Sequence, residues 1–368
     1  MKIINYLRKD AVLCVALLLA AVSMLFVTPD KEYASYIDAD TLLLLFALMS
    51  VMAGLRNCSF FRFIGKSIIN RVKTERQLVL VLVLLPFVFS MFMTNDVALI
   101  IFVPLALIIL KLSDTEKYTV FVVAAQTVAA NLGSMLMPTG NPQNLYLFSI
   151  MKIKLTGFIT LMLPYSLCSL LMLIGWCILA SERKSISVGI ENDGIHNKRA
   201  VAVCILLFII CLLSVAKLFP ALIPAALCLA VFLVMDRKAL LMVDYNLLLT
   251  FAGFFVFIGN MSRIEAVKTV IEALIKNHEV IMAVLLSQVI SNVPCALLMS
   301  GFTQSAEGLV IGTNLGGLGT LIASMASLIS YKFVVAEKSE LKGRYFRYFT
   351  LSNIIFLAIL LSLYFIIG

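Results

Sequence analysis

Two short polar segments interrupt long apolar runs of the chain, and they provide the candidate substrate-binding residues: Thr94, Asn95, Asp96, Ser291, Asn292 and Val293. A helix that begins at either segment would point its free N–H groups, the positive end of its dipole, into the apolar region. That arrangement suits a negatively charged ligand. Asparagine and serine can instead simply cap helices or hold helices together. The occurrence of two such segments in similar settings favours binding.

Two stretches rich in glycine, proline and amide side chains follow these segments, and they provide the candidate ion-binding residues: Asn131, Gly133, Thr139, Gly140, Asn141, Asn144, Thr313, Asn314, Gly316, Thr320 and Ser324. They lie within the apolar stretches 118–150 and 308–331, so we expect each stretch to be a broken transmembrane helix. Unwound carbonyls and side-chain oxygens of this kind coordinate Na⁺ or orient a substrate. Close helix contacts at glycine are the alternative. They explain Gly316 well, but they explain the segment PTGNPQN (138–144) poorly.

Asp96 is the only one of the twenty Asp and Glu residues that we expect deep inside an apolar region. An acidic group at that depth is costly and commonly serves a function. Three interpretations stay open at this point. The carboxyl group carries a coupled proton, it coordinates a cation, or it caps a helix N-terminus.

The elements that must position these residues are membrane helices. Apolar residues make up 62% of the chain and charged residues 13%, whereas soluble proteins have roughly 45–50% and about 25%. The apolar runs are continuous rather than alternating, which excludes a β-barrel. We therefore predict an all-α polytopic membrane protein with about nine spans and two re-entrant hairpins. The predicted spans are 11–28, 41–55, 118–150, 155–180, 200–217, 219–235, 241–260, 308–331 and 350–367, and the predicted hairpins are 77–110 and 280–303.

Composition and motifs exclude several other classes of protein. The net charge of +9 does not indicate a nucleic-acid partner, because the basic residues lie in short loops between apolar runs. The eight cysteines lie mostly within apolar runs and form no C-x-x-C pair, so we interpret them as small buried apolar residues. No H-E-x-x-H or G-x-S-x-G motif is present. We predict no enzymatic activity and no cofactor, with Na⁺ or H⁺ as the coupling ion.

The distribution of lysine and arginine predicts the orientation in the membrane. With the N-terminus inside and both interrupted stretches counted as hairpins, all but seven of the 29 basic residues fall inside. The seven outside are Lys31, Lys152, Lys154, Lys217, Arg263, Lys268 and Lys276. Because basic residues concentrate on the cytoplasmic side, we predict that 56–76, 111–117, 181–199 and 331–349 are cytoplasmic and that Gly368 is outside. Two full crossings in place of either hairpin would give the same charge distribution.

Three blocks of sequence recur in the same order. LLLLFALMSVMAG (42–54) matches LLLTFAGFFVFIG (247–259), MTNDVALII (93–101) matches ISNVPCALL (290–298), and ANLGSM (130–135) matches TNLGGL (313–318). On the predicted orientation the two copies are inverted, which is typical of secondary transporters with a site near mid-bilayer. We divide the chain into an N-terminal helix and outside loop (1–40), a first repeat (41–180), a cytoplasmic loop with linking helices (181–240) and a second repeat (241–368).

The motifs MTNDVALIIFVPLAL, ANLGSMLMPTGNPQNL, QVISNVPCALL and GTNLGGLGTLIAS resemble those of the ion transporter superfamily. This superfamily includes arsenite/antimonite permeases, divalent-anion:sodium symporters and citrate transporters. The resemblance covers residues 40–330. It implies a dimeric elevator-type carrier whose hairpin tips bind substrate and whose helix breaks bind coupling ions. The dicarboxylate branch has Ser-Asn-Thr at both tips, whereas this chain has Thr-Asn-Asp and Ser-Asn-Val, so the first tip looks more like the arsenite-permease branch.

We therefore predict a secondary active transporter of small anions or oxyanions in the cytoplasmic (inner) membrane of a bacterium. We expect a homodimer coupled to H⁺ or Na⁺, with a small anionic solute and the lipid bilayer as partners and no nucleic acid. The alternative is a sodium/proton antiporter on the same fold, with Asp96 as the exchanging carboxylate. A channel fits less well, because inverted repeats within one chain suit alternating access.

Overall fold

The computed structural model describes residues 11–186, 194–195 and 197–367. Within these ranges the chain forms nineteen α-helices and no β-strand, apart from an isolated bridge between Thr74 and Ser185. The predicted all-α fold is confirmed. The N-terminus, predicted to be inside, and Gly368, predicted to be outside, both lie beyond the described residues.

The first half of the chain contributes nine helices: α1 Ala11–Ser23, α2 Tyr33–Tyr36, α3 Ala39–Asn57, α4 Phe60–Ile69, α5 Glu75–Phe89, α6 Asn95–Leu112, α7 Thr119–Ser134, α8 Pro142–Ile150 and α9 Leu155–Ala180. Side-chain caps determine where several of them begin. Asp38 accepts a hydrogen bond from the backbone N–H of Thr41 at the start of α3, and Thr74 accepts one from Gln77 at the start of α5. A cap of this kind typically contributes about 1 kcal/mol.

The second half contributes ten helices: α10 Lys198–Val215, α11 Leu222–Met235, α12 Arg237–Leu241, α13 Tyr245–Ser262, α14 Glu265–Ile275, α15 Glu279–Ile290, α16 Asn292–Ser300, α17 Ala306–Leu315, α18 Met325–Glu337 and α19 Lys342–Ile367. Asp236 caps α12, and Asp244 caps α13 by accepting a hydrogen bond from the backbone N–H of Leu247. Because of this second cap, the predicted span 241–260 begins later, at Tyr245.

Six of the described helical segments are long and apolar enough to cross a bilayer: α3, α6, α9, α10, α13 and Ser339–Ile367, which contains α19. The helices α1, α11 and α15 are also apolar but shorter. The predicted spans 118–150 and 308–331 are each divided into two helices, α7 and α8 across 135–141 and α17 and α18 across 316–324. These apolar segments confirm a polytopic membrane protein.

The helices α5 and α6 form a hairpin whose two outer ends meet. Nζ of Lys117, just after α6, lies 2.9 Å from a carboxylate oxygen of Glu75, the first residue of α5. The hydroxyl of Tyr118 donates a hydrogen bond to the same carboxylate at 2.8 Å. The turn at 90–94 is therefore the tip at the far end of this hairpin.

The helices α15 and α16 form a second hairpin that opens at the other end of the molecule. Its outer ends meet where Thr303 donates a hydrogen bond to Glu279 at 3.4 Å. That end lies beside α8, because the hydroxyls of Tyr146 and Ser300 are 2.8 Å apart. The 26-residue helix α9 runs about 39 Å from this end back to Glu182, which joins the Lys117 ion pairs at the base of the first hairpin.

The order of elements in α3–α9 recurs in α13–α19. Each set has a helix of 19 or 18 residues, a short helix of 10 or 11, a hairpin, a broken helix and a final helix of 26 residues. The packing repeats as well, since α6 contacts α18 and α16 contacts α8. In addition, α1 packs on α13, and α10 and α11 pack on α3. The inversion of the two sets relative to the membrane stays a prediction.

Candidate substrate and ion site

The first hairpin tip places Asn95 in the interior, where its side chain is buried. The side-chain oxygen of Asn95 accepts a hydrogen bond from the backbone N–H of Asp96 at 3.0 Å, which orients the amide group. Its nitrogen donates to the side-chain oxygen of Asn131 at 2.8 Å and to the hydroxyl of Ser324 at 3.5 Å. Asn131 belongs to the first broken helix and Ser324 to the second, so this tip contacts both.

Thr94 and Asp96 lie on either side of Asn95. Thr94 lines a cavity of about 20 Å³ against α3, together with Thr139 and Asn141. Asp96 is half-buried, and its Oδ1 atom is buried without a hydrogen-bond partner among the described residues. Buried polar atoms are normally hydrogen-bonded, so this unpartnered oxygen sets Asp96 apart, and a proton or a cation is the kind of partner that would satisfy it.

The second hairpin tip turns at Ser291, whose φ of 74° and ψ of 155° are rarely adopted by a residue with a side chain. Such a conformation costs on the order of 1–3 kcal/mol. The turn lets the backbone N–H of Asn292 donate to the carbonyl oxygen of Ala323 at 3.0 Å, and the Ser291 hydroxyl reaches the same oxygen at 3.4 Å. Val293 follows and packs against the apolar core. Because Ala323 precedes Ser324, the two tips contact consecutive residues of the second break.

A cluster of buried side chains joins the two breaks, and we call it the amide centre: Asn95, Asn131, Asn141, Asn144, Asn314 and Ser324. Every member is at most 5% exposed. Asn131 donates to the carbonyl oxygen of Gly317 at 3.2 Å and accepts a hydrogen bond from Ser324 at 3.1 Å. Asn141 donates to the side-chain oxygen of Asn314 at 3.1 Å, and the Asn314 nitrogen donates to Asn144 at 2.6 Å. The amide centre thus joins both halves of the chain.

The predicted ion-site glycines lie where helices pack closely. A Cβ atom at Gly133 would collide with the carbonyl oxygen of Phe87 in α5, and one at Gly316 would collide with the hydroxyl of Ser287 in α15. These two glycines let α7 and α17 approach the hairpins. Gly140 in the same way lets the first break fold back on the end of α7.

The predicted ion-site threonines lie in three different settings. Thr139 donates to the carbonyl oxygen of Met91 at 3.1 Å and so ties the first break to the first hairpin tip. Thr313 donates to the carbonyl oxygen of Leu309 at 2.7 Å within its own helix. Thr320 is exposed, and it lies outside the amide centre. Of the three, Thr139 is the one whose hydroxyl lies beside the cavity at the first tip.

Three glutamines near the breaks and hairpins are absent from the sequence-based candidates. Gln288 of α15 donates to the carbonyl oxygens of Gly316 and Leu318 at 3.1 and 3.0 Å, which holds the second break against its hairpin. Gln126 of α7 donates to a carbonyl of α5. Gln143, at the start of α8, is 1% exposed, and neither end of its amide has a partner among the described residues. Uncharged polar residues within apolar helices are the signal that could have identified them.

The available ligand set suits a hard cation. Nowhere in the described ranges do three or more His, Cys, Asp or Glu side chains gather in one place. The oxygens of the amide centre are instead amide, hydroxyl and backbone carbonyl oxygens, and Asp96 is the residue next to Asn95 in the chain. Such oxygens suit Na⁺ rather than a transition metal.

Comparison with known proteins identifies several similar membrane proteins. The inner membrane protein YbiR of Escherichia coli is 31% identical over 326 residues, which cover 86% of each chain. An uncharacterized transporter of Methanocaldococcus jannaschii is 33% identical over 314 residues, 84% of this chain and 85% of that one. The silicon efflux transporter of rice (Oryza sativa) is 33% identical over 159 residues, 42% of this chain and 32% of that one.

A family model described as citrate transporter matches residues 3–307 of the 368. This match and the relatives above confirm the resemblance to the ion transporter superfamily that the hairpin and helix-break motifs indicated. The names of the family and of these relatives indicate a membrane protein that transports solutes and not an enzyme. The chain is therefore a multi-pass secondary transporter that belongs to the citrate transporter family.

Proposed function

We propose that this transporter moves small anions or oxyanions across a bacterial cytoplasmic membrane by elevator-type alternating access, coupled to H⁺ or Na⁺. The observation that carries the proposal is the amide centre. It joins the first hairpin tip to both helix breaks. The second tip contacts Ala323, the residue that precedes Ser324 of the amide centre. Buried polar groups are costly within an apolar region, and their convergence from both halves of the chain favours a binding site there.

Four helix N-termini favour an anionic solute. The helices α6, α8, α16 and α18 begin at Asn95, Pro142, Asn292 and Met325, beside or within the amide centre. The positive end of each helix dipole attracts negative charge. The backbone N–H groups of Asp96, Asn144 and Asn292 already donate to Asn95, Asn141 and Ala323, so the attraction comes from the dipoles. Asparagine side chains add neutral hydrogen-bond donors without the repulsion that further carboxylates would bring.

A basic cleft beside the first hairpin supports the same choice of solute. Arg56, Arg62 and Lys66 line a cavity of about 680 Å³ that runs along the face of α6 from Leu112 to Ile100. Asn95 begins the same helix, so this cleft extends toward the first tip. Clefts lined by one sign of charge raise the local concentration of the opposite ion.

The close fit between α3 and the first tip supports a mechanism in which these elements move apart. The cavity between them, about 20 Å³, has room for roughly one water molecule. Leu45, Leu48 and Met52 of α3 form its apolar side. A solute of several heavy atoms therefore needs the hairpin and its broken helices to shift relative to α3, as elevator-type access requires.

Asp96 supports the coupling step and also favours the second candidate function. Its buried Oδ1 has no hydrogen-bond partner among the residues described. In a symporter this oxygen would take up a proton or contribute to a Na⁺ site while the solute binds at the tips. In a sodium/proton antiporter the same carboxylate would exchange the two ions with no solute present.

Purified protein in proteoliposomes distinguishes these functions. Uptake of labelled citrate, succinate, arsenite and silicate is measured with an imposed Na⁺ gradient or pH gradient, each applied alone. We expect one of the gradients to drive accumulation of at least one of these solutes. Movement of H⁺ after a Na⁺ pulse, with none of the solutes present, would support the antiporter instead. If neither solute uptake nor ion exchange exceeds that of empty liposomes, both proposals are wrong.

A further inference from the structure

The helices α9 and α19 border a groove that the transport mechanism does not use. Its volume is about 780 Å³, within the size range of ligand-binding pockets. Apolar and aromatic side chains line most of it, and the ring centroids of Trp176 and Phe356 lie 5.6 Å apart on its wall. A Cβ atom at Gly175 would meet no other atom within 4 Å, so the groove is open along α9.

Two arginines lie at one end of this groove. Arg344 and Arg347 are three positions apart on α19, so they share a helix face. Neither forms an ion pair among the described residues, in contrast to nearby Lys338, which pairs with Glu116. Unpaired guanidinium groups bind phosphate through paired hydrogen bonds. The groove therefore combines an apolar wall with a site for a phosphate group.

The position of the arginines along α19 corresponds to the headgroup region of a bilayer. The helix has 26 residues and is about 39 Å long, which exceeds the ~30 Å apolar core of a membrane. The last turns of the helix are apolar, so the excess length falls at its first two turns, which contain Arg344, Arg347 and Tyr348 and extend into the polar layer. Tyr348 and Trp176 are residue types enriched at that level. Basic pockets between membrane helices bind anionic headgroups.

We propose that this groove binds an anionic phospholipid of the surrounding bilayer, with its phosphate group on Arg344 and Arg347 and an acyl chain along Trp176 and Phe356. Charge complementarity selects the lipid as the occupant, because a zwitterionic headgroup offers the two arginines no net negative charge. A second copy of the chain would bring no compensating anion from the same face, since that face carries the same two arginines.

The single tryptophan of the chain allows a direct test. Because Trp176 lines the groove, its fluorescence reports on any brominated acyl chain bound there. The full-length protein is reconstituted into vesicles in which either phosphatidylglycerol or phosphatidylcholine carries the brominated chains. From the attraction of two basic residues, we expect phosphatidylglycerol to be preferred by about tenfold or more in relative binding constant.

Variants locate the preference. Arg344→Gln combined with Arg347→Gln should abolish the selectivity while both lipids still quench, because the apolar wall remains. Arg237→Gln combined with Lys238→Gln removes the same charge away from the groove and should leave the selectivity unchanged. Equal quenching by the two lipids in the wild type would overturn the proposal without reference to any variant. Absence of quenching by either lipid would also overturn it, since protein would then cover the groove.

Discussion

At the scale of single residues, Asn131 and Asp96 differ in whether their buried polar atoms have hydrogen-bond partners. Asn131 accepts hydrogen bonds from Asn95 and Ser324 and donates one to Gly317, so its polar atoms are in use. Asp96, one residue beyond Asn95, has a buried oxygen without such a partner. The amide group therefore holds the centre together, whereas the carboxylate keeps an oxygen that no described residue satisfies.

We expect Asp96→Asn to preserve folding and to lose ion coupling. Asparagine has nearly the same shape but cannot bind a proton or balance a cation. Accumulation driven by the coupling gradient should fall at least about tenfold, equivalent to about 1.4 kcal/mol, while exchange of solute across the membrane persists. Proteoliposome uptake and a pH-sensitive dye measure the two effects.

The control for this change is Glu272→Gln, which removes a carboxylate from the exposed face of α14. If proton movement alone is lost in Asp96→Asn, H⁺ is the coupled ion. A higher Na⁺ concentration for half-maximal transport indicates a Na⁺ site instead. A helix cap alone would show neither change, only a stability loss below about 2 kcal/mol. Unchanged transport and ion dependence would therefore remove Asp96 from the mechanism.

Ser291→Gly should stabilise the second hairpin tip and weaken transport. Glycine adopts a positive φ without strain, so we expect a gain of up to about 1 kcal/mol in unfolding free energy. The same change at Ser362, in the exposed interior of α19, should cost about 0.5 kcal/mol. Thermal unfolding in detergent compares the two variants. Equal destabilisation at both positions would contradict the backbone strain at Ser291. Undiminished solute affinity in Ser291→Gly would show that the Ser291 hydroxyl does not bind the solute.

At the scale of elements, an ion-pair cluster closes the base of the first hairpin. Burial raises the pKa of Glu75, but the hydrogen bonds from Lys117 and Tyr118 lower it by more, so the pKa lies below its ordinary value of 4.5. A group whose pKa is lowered by folding stabilises the folded state above its ordinary pKa. That stabilisation is lost as the pH falls through the lowered value.

Glu75→Gln should therefore destabilise the protein near pH 7 by roughly 1 kcal/mol, a modest figure because Lys117 is half exposed. The difference from the wild type should shrink as the pH falls below the ordinary glutamate range and vanish once it passes below the lowered pKa, where the wild-type carboxylate is also protonated. Melting temperatures across this range measure the effect, with Glu272→Gln as the control. A difference that stays constant with pH would mean that the carboxylate charge does not hold the hairpin base.

The contact between the first tip and the second break can be tested by cross-linking. The Asn95 nitrogen lies 3.5 Å from the Ser324 hydroxyl, so a short bis-methanethiosulfonate reagent should link cysteines placed at these two positions. We expect a protease digest to contain the two peptides joined and a reductant to separate them, a readout that does not require these variants to transport. Replacing Ser330 instead, about 9 Å further along α18, should give no link. A link at 330 and none at 324 would contradict the contact.

At the scale of the whole molecule, the charge distribution predicts which loops face the cytoplasm. The eight native cysteines are buried or partly buried, and a background without them is suitable for labelling. Lys276→Cys should react with an impermeant maleimide on intact cells, whereas Lys342→Cys should react only after permeabilisation. Both lysines are exposed in the structure. Rapid labelling at 342 from outside would reverse the orientation and the predicted inversion of the repeats with it.

The helices and the positions of their interruptions could be predicted from the amino-acid sequence. The span predicted at 155–180 is α9, and the polar segments at 94–96 and 291–293 lie where α6 and α16 begin. Hydropathy, helix-breaking residues and caps determine helix positions through residues that are neighbours in the sequence. A short stretch of sequence is therefore enough to predict where a helix begins and ends. The recurrence of blocks along the chain corresponds in the same way to the repeated order of helices.

The pairing of the polar residues could not be predicted from the sequence and became visible only in the packed fold. The fold joins Asn95 to Ser324 and Asn141 to Asn314, pairs that are 229 and 173 positions apart in the sequence, and it uses Gly133 and Gly316 for close helix packing. It also leaves both amide atoms of Gln143 without a partner among the described residues, which no local pattern indicated. These contacts depend on how two hairpins and two broken helices pack against one another, whereas hydropathy reports only whether each residue avoids water.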